Sequence, residues 1–581
     1  MLVYGDHQEE VDPAVRAREI NRQLDGIAAA PPGLGRHDRL VAALVETGQL
    51  LQGIADDAFA EHREDRRTAA NDELGEFLLK LGQAVCTSWD SRFRSLGQLP
   101  RLRLANGGPA SVELRLPEGF AFYAVYPEAY VEAARRLKLL GAARVIGMRS
   151  IGTSLSAVVA AALGAPLPIS VRPFGDPSSR EIAIDPARED ELLQGDAHYV
   201  IVDEGPGQSG SSFTSVADWL IDRGIPDERI AVVPSHAGHP GAASSDRRRS
   251  WWARVQRQAG DFDERWPELI ARWCADLIGP IDEPPRNLSG GEWRHLHYAR
   301  ADDWPPTVPA WERRKYLVSA RGERFLVKFA GLGRIGEDKL GIARSLHRDR
   351  LVAEPIGLAH GFLVERWCEG AAPLNSDAKP LAEIAHYIGT RARLLPAASG
   401  SGASIDDLVT MACRNVSLEF GDELASAVET WASRADALKR RIVRVRTDNK
   451  LDRDEWLRSS SGVLIKTDAL DHHQAHDLVG CQDLAWDVAG AMIEIDVDQD
   501  QSEGFIAAVE NSAAATVDRE LLGFYRVAYL AFRLGQARLG QTITHPAEQQ
   551  RLDRRARRYA AELQHLLEST GRATRLESSV G

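Results

Sequence analysis

The stretch from Tyr199 to Ser212 constrains the fold of this chain more than any other. Tyr199, Val200, Ile201 and Val202 form a short apolar run of aromatic and β-branched residues, which suits a strand buried on both faces. Asp203 and Glu204 follow at its carboxyl end. Gly205, Gly207 and Gly210 then alternate with Gln208, Ser209, Ser211 and Ser212, before a helical apolar pattern from Phe213 to Leu220. A buried strand, two acids, a Gly/Ser loop and a helix start make a nucleotide-type site. Backbone N–H groups and hydroxyls at a helix N-terminus receive phosphate, and the carboxylates accept hydrogen bonds from sugar hydroxyls. The competing reading is an ordinary strand–loop–helix turn with two exposed acids.

The surrounding residues, 96 to 285, alternate strand and helix signals. Val112 to Leu116 alternates like an edge strand, and Pro127 to Leu139 is helical. Arg144 to Gly147 is a short strand, followed by a small-residue helix to Leu163. Ile169 to Ile184 reads as a hairpin turning at Pro173, Gly175, Asp176 and Pro177, and Arg229 to Pro234 is another strand. This alternation predicts an α/β fold with a doubly wound, mostly parallel sheet, in which ligands bind beyond the carboxyl ends of the strands. The loop Met148 to Ser154 lies at such an end. Arg149, Ser150, Gly152 and Thr153 there suit a small anion nest with one fixed positive charge, or no more than a helix N-cap.

Residues Val200 to Ser212 resemble the PRPP-binding motif of type I phosphoribosyltransferases, and the loop 149–154 resembles that family's pyrophosphate loop. The resemblance implies a catalytic Asp203 and Glu204 on the ribose hydroxyls. It implies a 5′-phosphate held by Gln208, Ser209, Gly210, Ser211 and Ser212, and a pyrophosphate held by Arg149, Ser150, Gly152 and Thr153. PRPP and Mg²⁺ would be the ligands. The hairpin with Arg172 and Arg180 stands where the family carries its hood; those arginines either reach pyrophosphate or are solvated. Ser235 and His236 fall where an acceptor pocket would be.

The second half has another texture. Lys315 to Val318, a turn at Ala320–Glu323, and Arg324 to Phe329 form a hairpin with Lys328 inside an apolar strand. A buried lysine needs a partner, and Glu337 in the following helical stretch is the nearest acid of the right type. Gly361 to Gly370 is a strand that ends in a polar crossing and contains Glu365. Arg446-Thr447-Asp448 and, 20 residues on, the strand ending at Asp468 precede a helix with Asp487. This order resembles the aminoglycoside-phosphotransferase-like branch of the kinase fold over roughly 295 to 540. The resemblance implies ATP held at Lys328, Glu337 and Glu365. It also implies Asp448 as the group accepting the substrate hydroxyl proton, Asp468 as the Mg²⁺ ligand, and Asp487 as a buttress of the catalytic loop. The sequence departs from that family in three ways. Arg446-Thr447 replaces His-Gly, Arg453 replaces the metal-binding asparagine with Asp454 and Glu455 beside it, and no glycine-rich loop precedes Lys328. His472, His473 and His476 are not spaced as a zinc motif, and substrate contacts or a local hydrogen-bond network are favoured there.

These segments divide the 581 residues into a helical region (1–95), a phosphoribosyltransferase-like domain (96–285), a linker (286–310), a separate two-lobed α+β kinase-like domain (311–540), and a C-terminal helix and tail (541–581). The net charge of −13 disfavours nucleic-acid and anionic-membrane binding. Five scattered cysteines without a CxxC fit a reducing cytoplasm, and the first residues do not resemble a signal peptide. The expectation is a bifunctional small-molecule enzyme that joins phosphoribosyl transfer to ATP-dependent phosphorylation of a hydroxyl. The N-terminal helices would serve as a cap or a homo-oligomerisation arm. The alternative is a non-catalytic nucleotide sensor built from the same two modules.

Overall fold

The computed structural model describes residues 8–104, 109–176, 179–207, 209–241, 243–375, 377–475 and 478–580, with side chains to 569. Gln208 and His476, and the turn residue Pro177, lie outside the described residues.

After a short strand, three helices follow: Pro13–Ala29, Leu34–His62 and Ala69–Asp90. The first starts at Asp12, whose carboxylate accepts from the N–H groups of Ala14 and Val15. Pro31-Pro32-Gly33 separates it from the second. The second and third helices pack on the small-residue helix Ile151–Leu163. The approach is close: a Cβ on Gly82 would stand 2.8 Å from the Ala157 carbonyl oxygen. The apolar faces read as an oligomerisation arm are thus used inside the chain.

The predicted parallel sheet is present. Its five strands run in the order Ile169–Val171, Ala143–Met148, His198–Val202, Ile230–Val233 and Gln256–Arg257, and all neighbours are parallel. Numbered along the chain the order is 2-1-3-4-5, so the winding reverses between Ala143–Met148 and His198–Val202. A crevice opens at such a switch point, and both sequence-identified loops flank it. Two expectations change. The hairpin 169–184 reduces to one parallel edge strand plus an isolated Phe174–Glu181 bridge. Val112–Arg115 pairs with Gln8–Val11 in a separate ribbon rather than at the sheet edge.

A second five-stranded sheet is antiparallel, in the order Pro355–Ala359, Phe362–Arg366, Glu323–Phe329, Lys315–Ala320 and Arg286–Asn287. The helix Arg334–His347 follows its central hairpin. The rest is mainly helical, including Leu381–Leu394, Ile405–Phe420, Leu484–Glu494, Arg519–Thr542 and Pro546–Val580. The last of these packs on its predecessor. The segment read as a linker supplies the strand Arg286–Asn287 and docks on the C-terminal helix through a buried Arg294–Glu548 ion pair of 2.8 Å.

The antiparallel sheet joins the two halves. Phe325, Val327 and Phe329 alternate onto one face, and with Tyr316, Phe362 and Val364 they enter the same apolar core as the N-terminal helices and the parallel sheet. Period-two alternation sends Leu326 and Lys328 to the opposite face, where they line a cavity. The halves are therefore not separate modules in packing terms.

A buried polar cluster sits at the same junction. Glu128 Oε1 is 2.7 Å from His37 Nε2 and 2.9 Å from His360 Nε2. His37 Nδ1 lies 2.9 Å from Ser88 Oγ, and His360 Nδ1 lies 2.9 Å from Asp38 Oδ1. Burial opposes charge on His360, but Glu128 and Asp38 on its two sides raise it to about 9. Its folded value thus lies above the ordinary one, so its stabilisation is complete below about pH 6.5. It is lost as pH rises through about 9. Urea unfolding should show Glu128→Ala destabilised by about 3 kcal/mol or more. The gap between wild type and His360→Gln should be widest near pH 6 and shrink toward alkaline pH.

Candidate functional site

Asp203 and Glu204 leave the carboxyl end of the strand His198–Val202 and sit half-buried in the switch-point crevice. The Asp203 carbonyl accepts from Tyr130 Oη at 2.8 Å, and the Glu204 carbonyl accepts from the Ser235 N–H at 3.0 Å. Burial raises the Asp203 carboxyl to about 6. Burial, then the neighbouring Glu118 and Asp203, raises Glu204 to about 8, and the Gly119 N–H partly offsets this. A Cβ on Gly119 would stand 2.8 Å from Glu204 Oε2, so glycine is what admits the carboxyl there. Two acids that resist ionisation at a strand's carboxyl end suit a divalent cation or sugar hydroxyls.

The following loop turns at Gly210 (φ 64°) into the helix Ser211–Ile221. Ser209 and Ser211 hydroxyls lie 2.8 Å apart, and Ser209 Oγ accepts from the Ser211 N–H at 3.2 Å. Arg180 donates to Ser212 Oγ at 2.8 Å, which brings one guanidinium to the loop.

The neighbouring loop differs from expectation. The resemblance implies Arg149 as a fixed charge for an anion. Its guanidinium is buried and turned to the N-terminal helical region, where it pairs with Asp65 and lies 3.3 Å from Asp56. Arg172 also pairs with Asp56 and donates to the Arg149 carbonyl at 2.9 Å. Thr153 is buried. A Cβ on Gly152 would meet the Val202 carbonyl at 2.6 Å, so Gly152 serves the packing of helix on strand, while Ser150 is half-exposed at the helix start. Asp56 and Asp65 gave no signal because their partners are about 85 to 115 residues away along the chain.

The second site is a cavity of about 270 Å³ between the antiparallel sheet and the helical half. Lys328, Glu365, Trp367 and Cys368 line one side, and Lys450, Asp454, Glu455, Lys466, Asp468 and Asp471 the other. Trp293, from the segment read as a linker, Trp311 just beyond it, and Leu552 and Arg555, from the C-terminal helix, complete the wall. The Lys328 ammonium pairs with Asp468 and lies 3.9 Å from Asp471. Burial opposes its charge, but the two carboxylates raise its pKa overall, and Asp468 is held well below the carboxylate range. Burial raises Glu365 to about 7.

Glu337 is not the partner of Lys328. It lies on the exposed face of its helix, whose inward stripe is Gly336, Lys339, Ile342, Ala343 and Leu346. The helix therefore presents a second lysine, Lys339, 3.7 Å from Asp471. Arg313 also donates to Asp471, at 2.9 Å.

Asp448 is 0% exposed and lies beneath the cavity rather than on its wall. Its carboxylate accepts from Tyr387, lies 2.9 Å from His472 Nδ1 and 3.4 Å from Lys466 Nζ. Burial alone would raise it, but Lys466, His472 and Arg391 hold it low. The role of taking a substrate proton, expected of Asp448, does not fit this enclosure. Asp487 accepts from the N–H groups of Asp448 and Asn449 at 2.8 and 3.0 Å. His472 links Asp448 to Asp468 (3.6 Å), and His473 is buried. Lys466 is a lysine in a short apolar strand, the same signal that singled out Lys328.

Oxygen donors for Mg²⁺ are present: Asp468 and Asp471, with His472, bring ligand atoms within 4.8 Å of one another. Arg453, in the place of the expected asparagine, points away to the carbonyls of Asn375 and Ala378. Glu455 is held by Lys450 and Lys466 at 2.5 and 2.7 Å.

No protein-family model and no curated protein matches the chain. Solved structures that overlay part of it include choline kinase LicA from Streptococcus pneumoniae, with 18% identity, 42% of this chain and 89% of that chain covered, and a TM-score of 0.31. A Plasmodium vivax ethanolamine kinase overlays at 12% identity, 44% and 80% coverage and a TM-score of 0.31. A spectinomycin phosphotransferase in complex with ADP and spectinomycin overlays at 13% identity, 52% and 98% coverage and a TM-score of 0.31. At such scores the side chains themselves must carry the functional reading.

Asp487→Ala would orphan two buried N–H groups, at about 1–3 kcal/mol each. A lowered urea midpoint with an unchanged m-value is the expected outcome.

Proposed function

We propose that this chain binds Mg²⁺–ATP in the cavity between the antiparallel sheet and the helical half, and transfers phosphate to a hydroxyl of a small molecule. We further propose that the parallel-sheet crevice takes a ribosyl 5-phosphate ligand such as PRPP. The observation that supports the first part is the pairing of Lys328 with Asp468 across a cavity edged by Glu365 to Cys368. A strand-borne lysine and an opposed carboxylate are the groups phosphoryl transfer needs, one for the phosphate oxygens and one for a metal. Mg²⁺, when bound by Asp468 and Asp471, supplies charge that neutralises the phosphates. Lys328 then exchanges a carboxylate partner for phosphate oxygens without leaving its strand. Asp454 lines the cavity, and burial beside Asp452 and Glu455 raises it to about 6. It is the carboxylate suited to take the acceptor hydroxyl proton, and Arg555 at 3.3 Å orients it.

In the other crevice, Asp203 and Glu204 accept the ribose hydroxyls, and Mg²⁺ suits their raised affinity for positive charge. The N–H group of Ser212 and the guanidinium of Arg180, at the start of the helix Ser211–Ile221, suit the 5′-phosphate. Glycosyl transfer at this site would rest on electrostatic stabilisation by these fixed groups.

Two observations favour a non-catalytic sensor as the second reading. Asp448 is sealed from the cavity, and Arg149 is consumed by carboxylates. Both leave sites able to bind with fewer groups free for chemistry. Mass spectrometry of products formed from ATP and PRPP with a nucleobase panel separates the readings, since a sensor binds without turnover.

Asp468→Ala should lower ATP consumption by about 100-fold or more. Asp203→Asn should weaken PRPP binding by about 10-fold, as one charge-assisted contact is lost. Calorimetry should show Mg²⁺–PRPP affinity rising between pH 6 and 8, because Asp203 and Glu204, raised to about 6 and about 8, bind cations only when deprotonated.

A further inference from the structure

One short element touches both candidate sites. The helix Glu118–Phe122 is buried from Gly119 onward. At its start, Glu118 and the Gly119 N–H face the Glu204 carboxyl. At its end, the Phe120 carbonyl accepts from the Leu332 N–H at 3.0 Å, and the Ala121 carbonyl accepts from Lys339 Nζ at 3.5 Å. The Phe122 ring lies beneath two cations, with the Arg313 guanidinium 4.4 Å and the Lys339 ammonium 5.3 Å from its centroid. Both of those cations hold Asp471, at 2.9 and 3.7 Å. Asp471 in turn lies 3.9 Å from Lys328. A contiguous path of bonded and packed groups thus runs from Glu204 to the phosphate lysine.

We propose that the helix Glu118–Phe122 couples the two sites, so that a ligand on Asp203 and Glu204 tightens nucleotide binding at Lys328 and Asp468. This rests on the ligand classes proposed above for each site. Both sites share one set of restraints. A ligand that fixes the Glu204 carboxyl against the Gly119 N–H fixes the start of the helix. The helix has little freedom to move at one end only, because the chain just after Lys328 packs on its far end: a Cβ on Gly331 would stand 3.3 Å from the Ala121 carbonyl oxygen, next to the Leu332 N–H that donates to the Phe120 carbonyl. Fixing Phe122 fixes Arg313 and Lys339, and through them Asp471. The second ligand then meets a site already ordered, and linkage requires the effect to be reciprocal.

The test is calorimetry of the full chain with PRPP and with the non-hydrolysable analogue AMP-PNP, each with Mg²⁺, alone and with the other ligand saturating. The expected result is that each ligand tightens the other by the same factor, about fivefold or more. Phe122→Leu keeps an apolar side chain but removes the ring under the two cations. It should bring the factor below about twofold while each ligand alone binds as in wild type. The variant is checked for an intact unfolding transition. Binding of both ligands with no mutual effect overturns the coupling and leaves the functional reading standing. Coupling that survives in Phe122→Leu overturns the helical route. Absence of PRPP binding altogether overturns both the coupling and the ribosyl-phosphate reading.

Discussion

Glu128 is a carboxylate without access to water, and the arrangement of both halves depends on keeping it charged. A buried ion of this kind is tolerated only with close hydrogen-bonded partners. His37 comes from the N-terminal helices and His360 from a turn of the antiparallel sheet. The three groups can meet only when those parts are packed together. The same elements carry the site groups. The helix with Glu128 also carries Tyr130, which holds the Asp203 carbonyl. The turn with His360 includes Gly361, whose carbonyl accepts from the Ala330 and Gly331 N–H groups just after Lys328. Both clefts are thus registered to one ion cluster.

Charge pairing elsewhere separates structural ions from site ions. Arg149, Arg172, Asp56 and Asp65 neutralise one another, as do Arg533 and Asp452. Partners at or near hydrogen-bond distance offset the cost of burying these charges. Glu204, Asp203, Glu365 and Asp454 stand apart: burial raises all four toward neutrality. Acids left short of compensation at the walls of clefts are where an external cation or hydroxyl gains most. Asp448 belongs to the first group despite its position in a motif, since Lys466, Tyr387 and His472 occupy it fully.

Much of the architecture was legible because it is local. The 199–212 stretch encodes strand, acids, loop and helix start within fourteen consecutive residues, and the parallel sheet places it at a carboxyl edge. Pro31-Pro32-Gly33 ended a helix for backbone reasons that hold in any context. The illegible features all involve long separations or helix phase. Glu337 and Lys339 lie two residues apart, and only the burial stripe of the folded helix shows which one faces inward, toward Asp471. The segment 286–310 looked like a linker because its Pro, Gly and Trp content carries no period. It is ordered by Glu548, more than 250 residues away from Arg294.

By itself, then, the sequence determined the elements: an α/β half with two acids at a strand end, and a second half with a lysine in one strand and an aspartate after another. Short-range sterics, periodicity and turn chemistry suffice for that. Which charges are free to meet a ligand was decided only by the tertiary structure. Pairing depends on side chains far apart in the chain arriving within 3 or 4 Å. That step removed Arg149 and Asp448 from the exposed groups and brought Asp471, Lys339 and the helix Glu118–Phe122 between the two clefts.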